Sequence, residues 1–337
     1  MEVELVEPGD ESAFTDFVEI VRDSDKFDFP DDPAWLPQEL RAKARGTGSR
    51  LTEIYVVREG SRPVAALFLH LPIKENLQVA DFQILAVAPS ERGRGHGRRL
   101  VQTAEEVAHS HGRAVAITYV HVPVEAVSVW DRYQHFAASS GFEPALRSKL
   151  RRLRLTEGLA RAARLESEAF GFSRGSYEVV RWRQHCPDEL ANGRAVLGAG
   201  MSTDAPTEEL EVEGESWDVG RLRDFEDTIA GMDRDLFGAG AVHLETGELA
   251  AFTEITVPRS AREVAHQYDT IVAAPHRGHR LGTLVKVVNL RALAEGSPTT
   301  DRIHTWNADS NDPMLRVNET MGFEVYAVGT VLQKKLG

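Results

Sequence analysis

Short runs of alternating hydrophobic and polar residues, typical of strands, are separated along this chain by stretches in which apolar positions have helical spacing. In the first third, the pattern predicts a strand at 2–6, a helix at 11–22, and hairpin strands at 54–58 and 64–71. It then predicts a strand at 79–88, a helix at 95–110, a strand at 114–120, a helix at 126–139 and a closing strand at 147–155. The acidic stretch 24–33 contains Pro30 and Pro33 and is expected to form a loop.

The second half of the chain repeats this order of elements. The predicted elements are a helix at 217–229, strands at 240–244, 249–257 and 266–273, a helix at 282–294, a strand at 302–306 and a helix at 312–320. Residues 156–200 are expected to be mainly helical. The repeat predicts two domains, 1–155 and 156–337, the second with a helical linker at its start.

A loop rich in glycine and arginine joins a strand to the following helix in each half. The first reads Val-Ala-Pro-Ser-Glu-Arg-Gly-Arg-Gly-His-Gly at 87–97, and the second reads Val-Ala-Ala-Pro-His-Arg-Gly-His-Arg-Leu-Gly at 272–282. Such a turn is an anion site, because the free N–H groups and the dipole of the next helix face it. Neither loop ends in the Gly-Lys-Ser/Thr of a P-loop, and the dinucleotide fingerprint needs its third glycine one position after Gly97. An arginine at the same place in both copies, Arg92 and Arg277, favours phosphate sites over tight structural turns.

The first loop resembles the Arg/Gln-x-x-Gly-x-Gly/Ala signature of the GNAT-type N-acetyltransferase superfamily, whose loop binds the pyrophosphate of acetyl-CoA. The second loop resembles a variant of that signature. The resemblance implies an α+β fold of two tandem GNAT domains, each a mixed, mostly antiparallel sheet that is splayed at the loop strand and flanked by helices. The arrangement resembles the mycothiol-synthase-like tandem members and those of antibiotic gene clusters, which implies a role in secondary metabolism.

The resemblance also implies acetyl-CoA, or another acyl-CoA, as co-substrate, with no metal. In the first half, the residues expected to hold it are Leu85, Val87, Arg92, Gly93, Arg94, Gly95, His96, Gly97 and Arg98. In the second half they are Ile271, Val272, Arg277, Gly278, His279, Arg280, Leu281, Gly282 and Asn311. Because Arg280 stands where the signature has its central glycine, the second loop is expected to bind pyrophosphate less well.

A general base is needed to take a proton from the acceptor amine. Family members often carry a carboxylate near the start of the loop strand, and this place falls on Asp81 in the first half and on His266 in the second. Both residues are either bases or simply polar strand-end residues. Glu254 stands where the first half has Leu69, so it either faces a cleft as a third catalytic candidate or lies on the surface.

The last helix of family members commonly carries an asparagine that holds CoA, a tyrosine that acts as acid to the thiolate, and a Gly-Phe pair. In the second half, Asn311 matches the asparagine, and Asn318 stands at the tyrosine position. In the first half, Trp130 and Ala137 occupy these two positions. Tyr133 lies one turn earlier and is either a substitute acid or a packed tyrosine.

Composition narrows the partners further. The 337 residues are 42% hydrophobic with a net charge of −13, which argues against nucleic acid or an anionic membrane and is compatible with a small amine. The single cysteine, Cys186, excludes an internal disulfide and suits a reducing cytoplasm. The sequence leaves the oligomeric state open. It supports two hypotheses: an acyl-CoA-dependent N-acyltransferase acting on a small amine, and a non-catalytic acyl-CoA-binding or regulatory protein.

Overall fold

The computed structural model describes residues 2–7, 9–30, 32–173, 175–204 and 206–337, and only the backbone of Thr203. Within these residues the strands are β1 (Glu2–Leu5), β2 (Arg50–Glu59), β3 (Arg62–Pro72), β4 (Val79–Val87), β5 (Val115–Pro123), β6 (Glu143–Arg154), β7 (Tyr177–Arg183), β8 (Arg234–His243), β9 (Leu249–Pro258), β10 (Val264–Val272), β11 (Arg302–Ala308) and β12 (Glu324–Lys335). The α-helices are α1 (Glu11–Asp28), α2 (Pro37–Ala44), α3 (His96–Ser110), α4 (Val127–Ser139), α5 (Leu155–Ser173), α6 (Asp188–Asp204), α7 (Val219–Gly231), α8 (Leu281–Gly296) and α9 (Asp312–Met321).

These elements form two compact units. Unit 1 contains Met1–Ser148, Thr207–Glu213 and Ala327–Gly337, and unit 2 contains Lys149–Pro206 and Gly214–Tyr326. The division of the sequence into domains 1–155 and 156–337 stays a prediction.

The sheet of unit 1 has the strand order β1-β2-β3-β4-β5-β12. Its neighbouring strands are antiparallel except for β4 and β5, which are parallel. β12 pairs with β5 from Ala327 opposite Pro123 to Lys335 opposite Val115, so the last strand of the chain completes the sheet of unit 1.

Helices cover both faces of this sheet because the strands place apolar side chains alternately on each. On one face, α1 and α2 pack against side chains such as Val56 and Phe68. On the other face, α3 and α4 pack against side chains such as Leu67 and Phe82.

The helix α1 is longer than predicted. It continues past Arg22 to Asp28, so the predicted loop at 24–33 is helical over its first half, and Asp31 in that loop lies outside the described residues. The helix buries the polar side chains of Ser24 and Asp28 one turn apart, and both bind Arg92 of the first loop. Arg92 thus provides hydrogen-bond partners for two buried polar side chains. The sequence pattern alone places these two residues in a loop, because it does not show this distant contact.

In unit 2, the strand order is β11-β10-β9-β8-β7. Only β10 and β11 are parallel among these neighbouring pairs. The helices α5 and α8 pack on one face, through residues such as Leu165, Leu284 and Leu290. The other face contacts α6 and α7.

Residues 156–200 are helical as expected in α5 and α6, but the strand β7 at Tyr177–Arg183 lies between them. It pairs antiparallel with β8 from Tyr177 opposite His243 to Arg183 opposite Phe237, and β8 begins at Arg234 rather than at the predicted residue 240. The sequence of β7 alternates too briefly to stand out between two helices, and pairing with β8 decides its structure.

The loop strand of each unit separates from its parallel neighbour. β4 pairs with β5 only from Val79 to Phe82, and β10 pairs with β11 only from Val264 to His266. A register shift also interrupts each loop strand, at Gln83 in β4 and between Gln267 and Thr270 in β10. The mixed, splayed sheets confirm the predicted α+β fold, and each splay leaves one edge of a loop strand open for a ligand.

Candidate functional site

The first loop has a backbone shaped for an anion. Gly93 and Gly95 have φ of +79° and +92°, and a Cβ added at either would meet nothing within 4 Å. Gly95 is also the residue before α3, so the free N–H groups of the first helical turn face this open space. The glycines thus provide both the left-handed turns and the close approach that a phosphate needs.

The Arg92 side chain binds groups of the protein itself, and its predicted contact with phosphate stays a prediction. Its Nε donates to the carbonyl oxygen of Val87 at 3.3 Å, and its two Nη atoms donate to Asp28 and Ser24 at 2.8 and 2.9 Å. The guanidinium therefore fixes the loop to β4 and to the end of α1. Arg94 is more exposed and binds Glu91 at 2.9 Å, and Arg98 is exposed on the first turn of α3.

His96 lies beneath the loop. Its side chain is fully buried, and within the described part of the chain neither ring nitrogen has a hydrogen-bond partner. Its Nε2 lies 3.6 Å from Glu59, and Glu91 is close enough to both for the three side chains to surround a metal ion. However, two guanidiniums, of Arg62 and Arg94, already neutralise Glu91 at 2.6 and 2.9 Å, which disfavours a cation there. That the protein uses no metal stays a prediction.

The second loop has nearly the same backbone. Gly278 and Arg280 have φ of +88° and +54°, so Arg280 adopts the left-handed conformation of Gly95 and likewise precedes the helix, here α8. Arg277 repeats the role of Arg92: its Nε donates to the carbonyl of Val272 at 3.3 Å, and its Nη2 donates to Asp204 at 2.6 Å. The repeat therefore includes the side-chain anchor of each loop.

The side chain of Arg280 leaves the loop towards α5. Its guanidinium lies 4.0 Å from the centre of the Phe172 ring and 3.4 Å from Glu168. Both residues, together with Gly278 and His279, line a cavity of about 500 Å³. Leu281, the first residue of α8, is buried in the core of unit 2, so it can offer only its backbone to a ligand.

We expect Arg280→Gly to tighten binding of acetyl-CoA at the second loop by about threefold to tenfold. Glycine removes the strain of a left-handed arginine and the Cβ that narrows the loop. Titration calorimetry on the wild type and the variant measures the second-site affinity, with Arg181→Gly as an exposed arginine control. Weaker binding in Arg280→Gly would show that the guanidinium itself contacts the ligand.

Asp81 lies where β4 and β5 begin to separate, opposite His70 on β3 and Ile117 on β5. Burial raises the pKa of its carboxyl to about 6, against the hydrogen bond from Gln83 and the charges of Lys43 and Arg50, which lower it. The side chain keeps partial access to solvent. A partly accessible carboxylate with this pKa can accept a proton near neutral pH.

His266 occupies the equivalent place on β10, opposite Thr256 on β9 and His304 on β11. Burial lowers the pKa of its imidazole well below the usual value, and the charges of Arg234 and His304 lower it further. His266 is therefore neutral at physiological pH. Because its conjugate acid is disfavoured, it is a weaker base than an ordinary histidine.

Glu254 lies in the core of unit 2 instead of facing a cleft. Its side chain and that of Arg194 are both fully buried, and the two form a bidentate pair at 3.0 and 2.7 Å. The Arg194 guanidinium also stacks on the ring of Phe252 at 3.8 Å. Both oxygens of the Glu254 carboxylate accept from Arg194, so this pair links the sheet to α6. Neither oxygen is available to take a proton from an acceptor amine.

The signature helices differ between the units. In α4, the Tyr133 hydroxyl donates to Asp28 at 2.6 Å, and burial together with Asp28 raises its pKa, so it is a poor proton donor. Ala137 is buried in the core. In α9, Asn311 is the residue before the helix, and its side chain accepts from the N–H of Met314. Asn318 is fully buried and accepts a hydrogen bond from Lys286.

Sequence reasoning missed two charged groups of unit 2. Asp269 lies in the irregular part of β10, and burial raises its pKa to about 6. Lys286 is buried on α8, and burial lowers its pKa to about 7. Lys286 is an ionisable residue within the apolar run 284–288, which is the signal that could have identified it, whereas Asp269 has polar neighbours and gives no such signal. Cys186 is buried, and burial raises the pKa of its thiol to about 12, so it is not a nucleophile.

Each unit combines a splayed mixed sheet with a glycine-rich loop that precedes a helix. The protein is therefore an α+β protein with two copies of an anion-binding loop. Residues 14–136 match the acetyltransferase (GNAT) family. The chain is similar to the solved tandem GNAT protein from the clavulanic acid biosynthesis pathway, determined without acetyl-CoA, at 25% identity and a TM-score of 0.80, with 100% of this chain and 99% of that chain covered. The family match lies within unit 1, and the similarity over the whole chain confirms the resemblance to tandem GNAT proteins that the motifs predicted.

The fold is also that of a GCN5-related N-acetyltransferase from Sphaerobacter thermophilus, at 14% identity and a TM-score of 0.62, with 99% of this chain and 95% of that chain covered. Enzymes of the family use acetyl-CoA as acyl donor and act on small-molecule acceptors. Among the described residues, none of the helices combines the length and the apolar character needed to cross a bilayer.

Proposed function

We propose that the protein is an acyl-CoA-dependent N-acyltransferase that uses acetyl-CoA in unit 1 to acylate a small amine. The observation that carries this proposal is the open backbone of the first loop, where Gly93 and Gly95 leave space for phosphate oxygens. The free edge of β4 beyond Phe82 supports it, because extended amides bind to such an edge as an added strand does. Leu85 and Val87 lie on that edge.

Asp81 is the proposed base of this site. Acyl transfer forms a C–N bond and breaks the C–S bond of the thioester, so the acceptor ammonium must first lose a proton. Asp81 accepts this proton, and its raised pKa makes the carboxylate basic enough to do so. Attack leaves a second proton on the nitrogen, which solvent takes up; the thiolate leaves with the electron pair of the C–S bond and is protonated from solvent, since neither Ala137 nor Tyr133 supplies an acid.

The Gly95→Asp variant is expected to bind acetyl-CoA at the first loop at least about tenfold more weakly, because a carboxylate would face the phosphates. Titration calorimetry measures both affinity and stoichiometry. Gly112→Asp is the matched control, since Gly112 also has a positive φ and nothing within 4 Å of an added Cβ, but lies at the far end of α3. Unchanged affinity in Gly95→Asp contradicts the assignment of this loop.

A second candidate is a non-catalytic acyl-CoA-binding protein. The observation that favours it is the hydrogen bond that commits the Tyr133 hydroxyl to Asp28, which leaves unit 1 without the usual acid of the family. A screen of small amines with acetyl-CoA, followed by release of free thiol, separates the two functions. Thiol release with one amine supports the transferase, and tight acetyl-CoA binding without release from any amine supports the binding protein.

The acceptor is proposed to be an intermediate of secondary metabolism. This rests on the similarity of the whole chain to a tandem GNAT protein from an antibiotic biosynthesis pathway. The acidic net charge of −13 suits an amine-bearing acceptor. A buried, unpaired Cys186 is in keeping with a protein of the reducing cytoplasm.

A further inference from the structure

Three polar side chains of unit 2 form a linear chain of hydrogen bonds. The Nζ of Lys286 on α8 donates to the Oδ1 of Asn318 on α9 at 2.8 Å. The Nδ2 of Asn318 donates in turn to the Oδ1 of Asn307 on β11 at 2.7 Å. Lys286 and Asn318 are fully buried, whereas Asn307 is only half-buried. The chain thus runs from the core of unit 2 outwards to a partly accessible amide.

Unit 1 has apolar residues at all three places. Counting from the two loops, Lys286 corresponds to Val101, and counting from the two Gly-Phe pairs, Asn318 corresponds to Ala137. The parallel register of the loop strands makes Asn307 correspond to Val120. These three residues belong to, or pack against, the apolar core of unit 1. Burial of polar groups costs free energy that apolar residues avoid. The presence of three polar residues in unit 2, where unit 1 has three apolar ones, therefore indicates a function other than packing.

The lysine fixes the polarity of the chain. A lysine ammonium donates hydrogen bonds and cannot accept one, so Asn318 must turn its oxygen towards Lys286 and its nitrogen towards Asn307. Asn307 must then accept through its oxygen, and its own Nδ2 is left as a donor directed away from Asn318. The oxygen and nitrogen of a side-chain amide are often hard to tell apart. Here the ammonium of Lys286 determines the orientation of both amides, because it can only donate.

The outer end of the chain lies where β11 has left β10. The parallel pairing of these strands ends at His266 and His304, and Asn307 follows three residues later on the separated part of β11. Asn318 also stands at the helix position where the family signature has its tyrosine. A donor at this place would meet the ligand that extends along the free edge of β10.

We propose that Lys286, Asn318 and Asn307 form a polarised amide relay that presents one hydrogen-bond donor, Asn307 Nδ2, to the carbonyl of an acyl thioester in the opening of unit 2. Asn307 is the binding residue, and Lys286 and Asn318 are positioning residues. The inference rests on the proposed function in one respect, that the protein takes acyl-CoA, but it concerns unit 2 and does not involve Asp81.

The relay links ligand binding to the protonation of Lys286. An acceptor bound to Asn307 favours the orientation that the ammonium enforces, so it raises the pKa of Lys286 above its value in the free protein. The side chains that face this amine are the amide of Asn318 and the ring of Phe323, whose centre lies 5.2 Å from Nζ. Burial is the cause of the lowered pKa in the free protein, about 7. The affinity for the ligand is therefore greatest at pH values below the pKa of Lys286 in the free protein. It falls as the pH rises through the pKa of Lys286 in the bound state.

Two variants separate a relay from a structural cluster. Asn318→Asp keeps the shape and the bond from Lys286, but its second oxygen can only accept, so Asn307 must turn its Nδ2 inwards and present an oxygen to the ligand. Lys286→Met removes the group that fixes the polarity. We expect Asn318→Asp to weaken acetyl-CoA binding in unit 2 about tenfold without lowering Tm, and Lys286→Met to weaken it less and abolish its pH dependence.

The experiment uses the full-length chain, in the wild type and in the Gly95→Asp background that isolates unit 2. Lysines are labelled with ¹³C at Cε, and since the sequence has seven lysines, comparison with Lys286→Met identifies the signal of Lys286. Titration with and without saturating acetyl-CoA is expected to show a pKa near 7 that rises by at least half a unit on binding. Calorimetry on Asn318→Asp provides the affinity.

An unchanged Lys286 pKa with acetyl-CoA bound, or an Asn318→Asp variant with wild-type affinity, overturns the relay. Absence of acetyl-CoA binding in unit 2 also overturns it, because the donor then has no ligand. These outcomes are distinct from failure of the proposed function, which is read at the first loop through the Gly95→Asp comparison in the otherwise wild-type chain.

Discussion

Replacement of Asp81 by asparagine is expected to lower kcat by about 10²–10⁴ while the affinity for acetyl-CoA stays the same. Asparagine has the same shape and can still accept the hydrogen bond from Gln83, but it cannot take a proton from the acceptor. Because burial raises the pKa of Asp81 to about 6, kcat/KM of the wild type is expected to rise with pH through that value. The variant should lack this limb.

Thiol release with a verified amine, measured under saturating acetyl-CoA from pH 5 to 8, tests this prediction. His266→Gln is the matched control, because His266 occupies the same place on the loop strand of unit 2. Full activity in Asp81→Asn together with loss of activity in His266→Gln would move the chemistry to unit 2. Full activity in both variants would remove both residues from the list of bases.

Glu254→Gln is expected to lower the free energy of unfolding by about 3–5 kcal/mol, because it leaves the charge of Arg194 buried without its partner. Both side chains are fully buried, and the stacking of Arg194 on Phe252 gives its charge no route to solvent. This loss of stability, rather than a slower chemical step, is the expected phenotype. Urea unfolding with a global fit of the m-value measures it.

The control for this prediction is Glu295→Gln, which breaks the half-exposed pair with Arg181 at 3.1 Å and should cost less than about 1 kcal/mol. The double change Arg194→Met with Glu254→Leu removes both charges at once and should recover most of the lost stability. Leucine is also what unit 1 carries at the corresponding position, Leu69. If Glu254→Gln unfolds like the wild type and instead lowers kcat, the carboxylate is catalytic after all.

Local signals made much of the fold predictable. The hairpins follow from turns such as Glu59-Gly60-Ser61, and the loops follow from glycines that need a positive φ. Elements that depend on distant contacts were missed or cut short. The end of α1 is held by Arg92, which lies more than sixty residues further along the chain, and β7 forms because β8 lies beside it.

The candidate site divides in the same way. The places of Asp81 and His266 follow from counting back along one strand, and the structure puts both where parallel strands separate. The environment of Glu254 depends on Arg194, sixty residues earlier, which no local pattern connects to it. The helix motif identified the position of Asn318 but not Lys286, and only the hydrogen bond between them across α8 and α9 connects the two residues.

The pairing of β12 with β5 determines when the first unit can be completed during biosynthesis. A ribosome that has made residues 1–155 has supplied the first loop, Asp81 and β5, but not the strand that pairs with β5 along nine residues. Until Ala327–Lys335 emerge, that edge of β5 has unpaired N–H and C=O groups, which invite association with other nascent chains. Vectorial, domain-by-domain folding therefore cannot complete unit 1 until residues 327–335 have been translated, after the whole of unit 2.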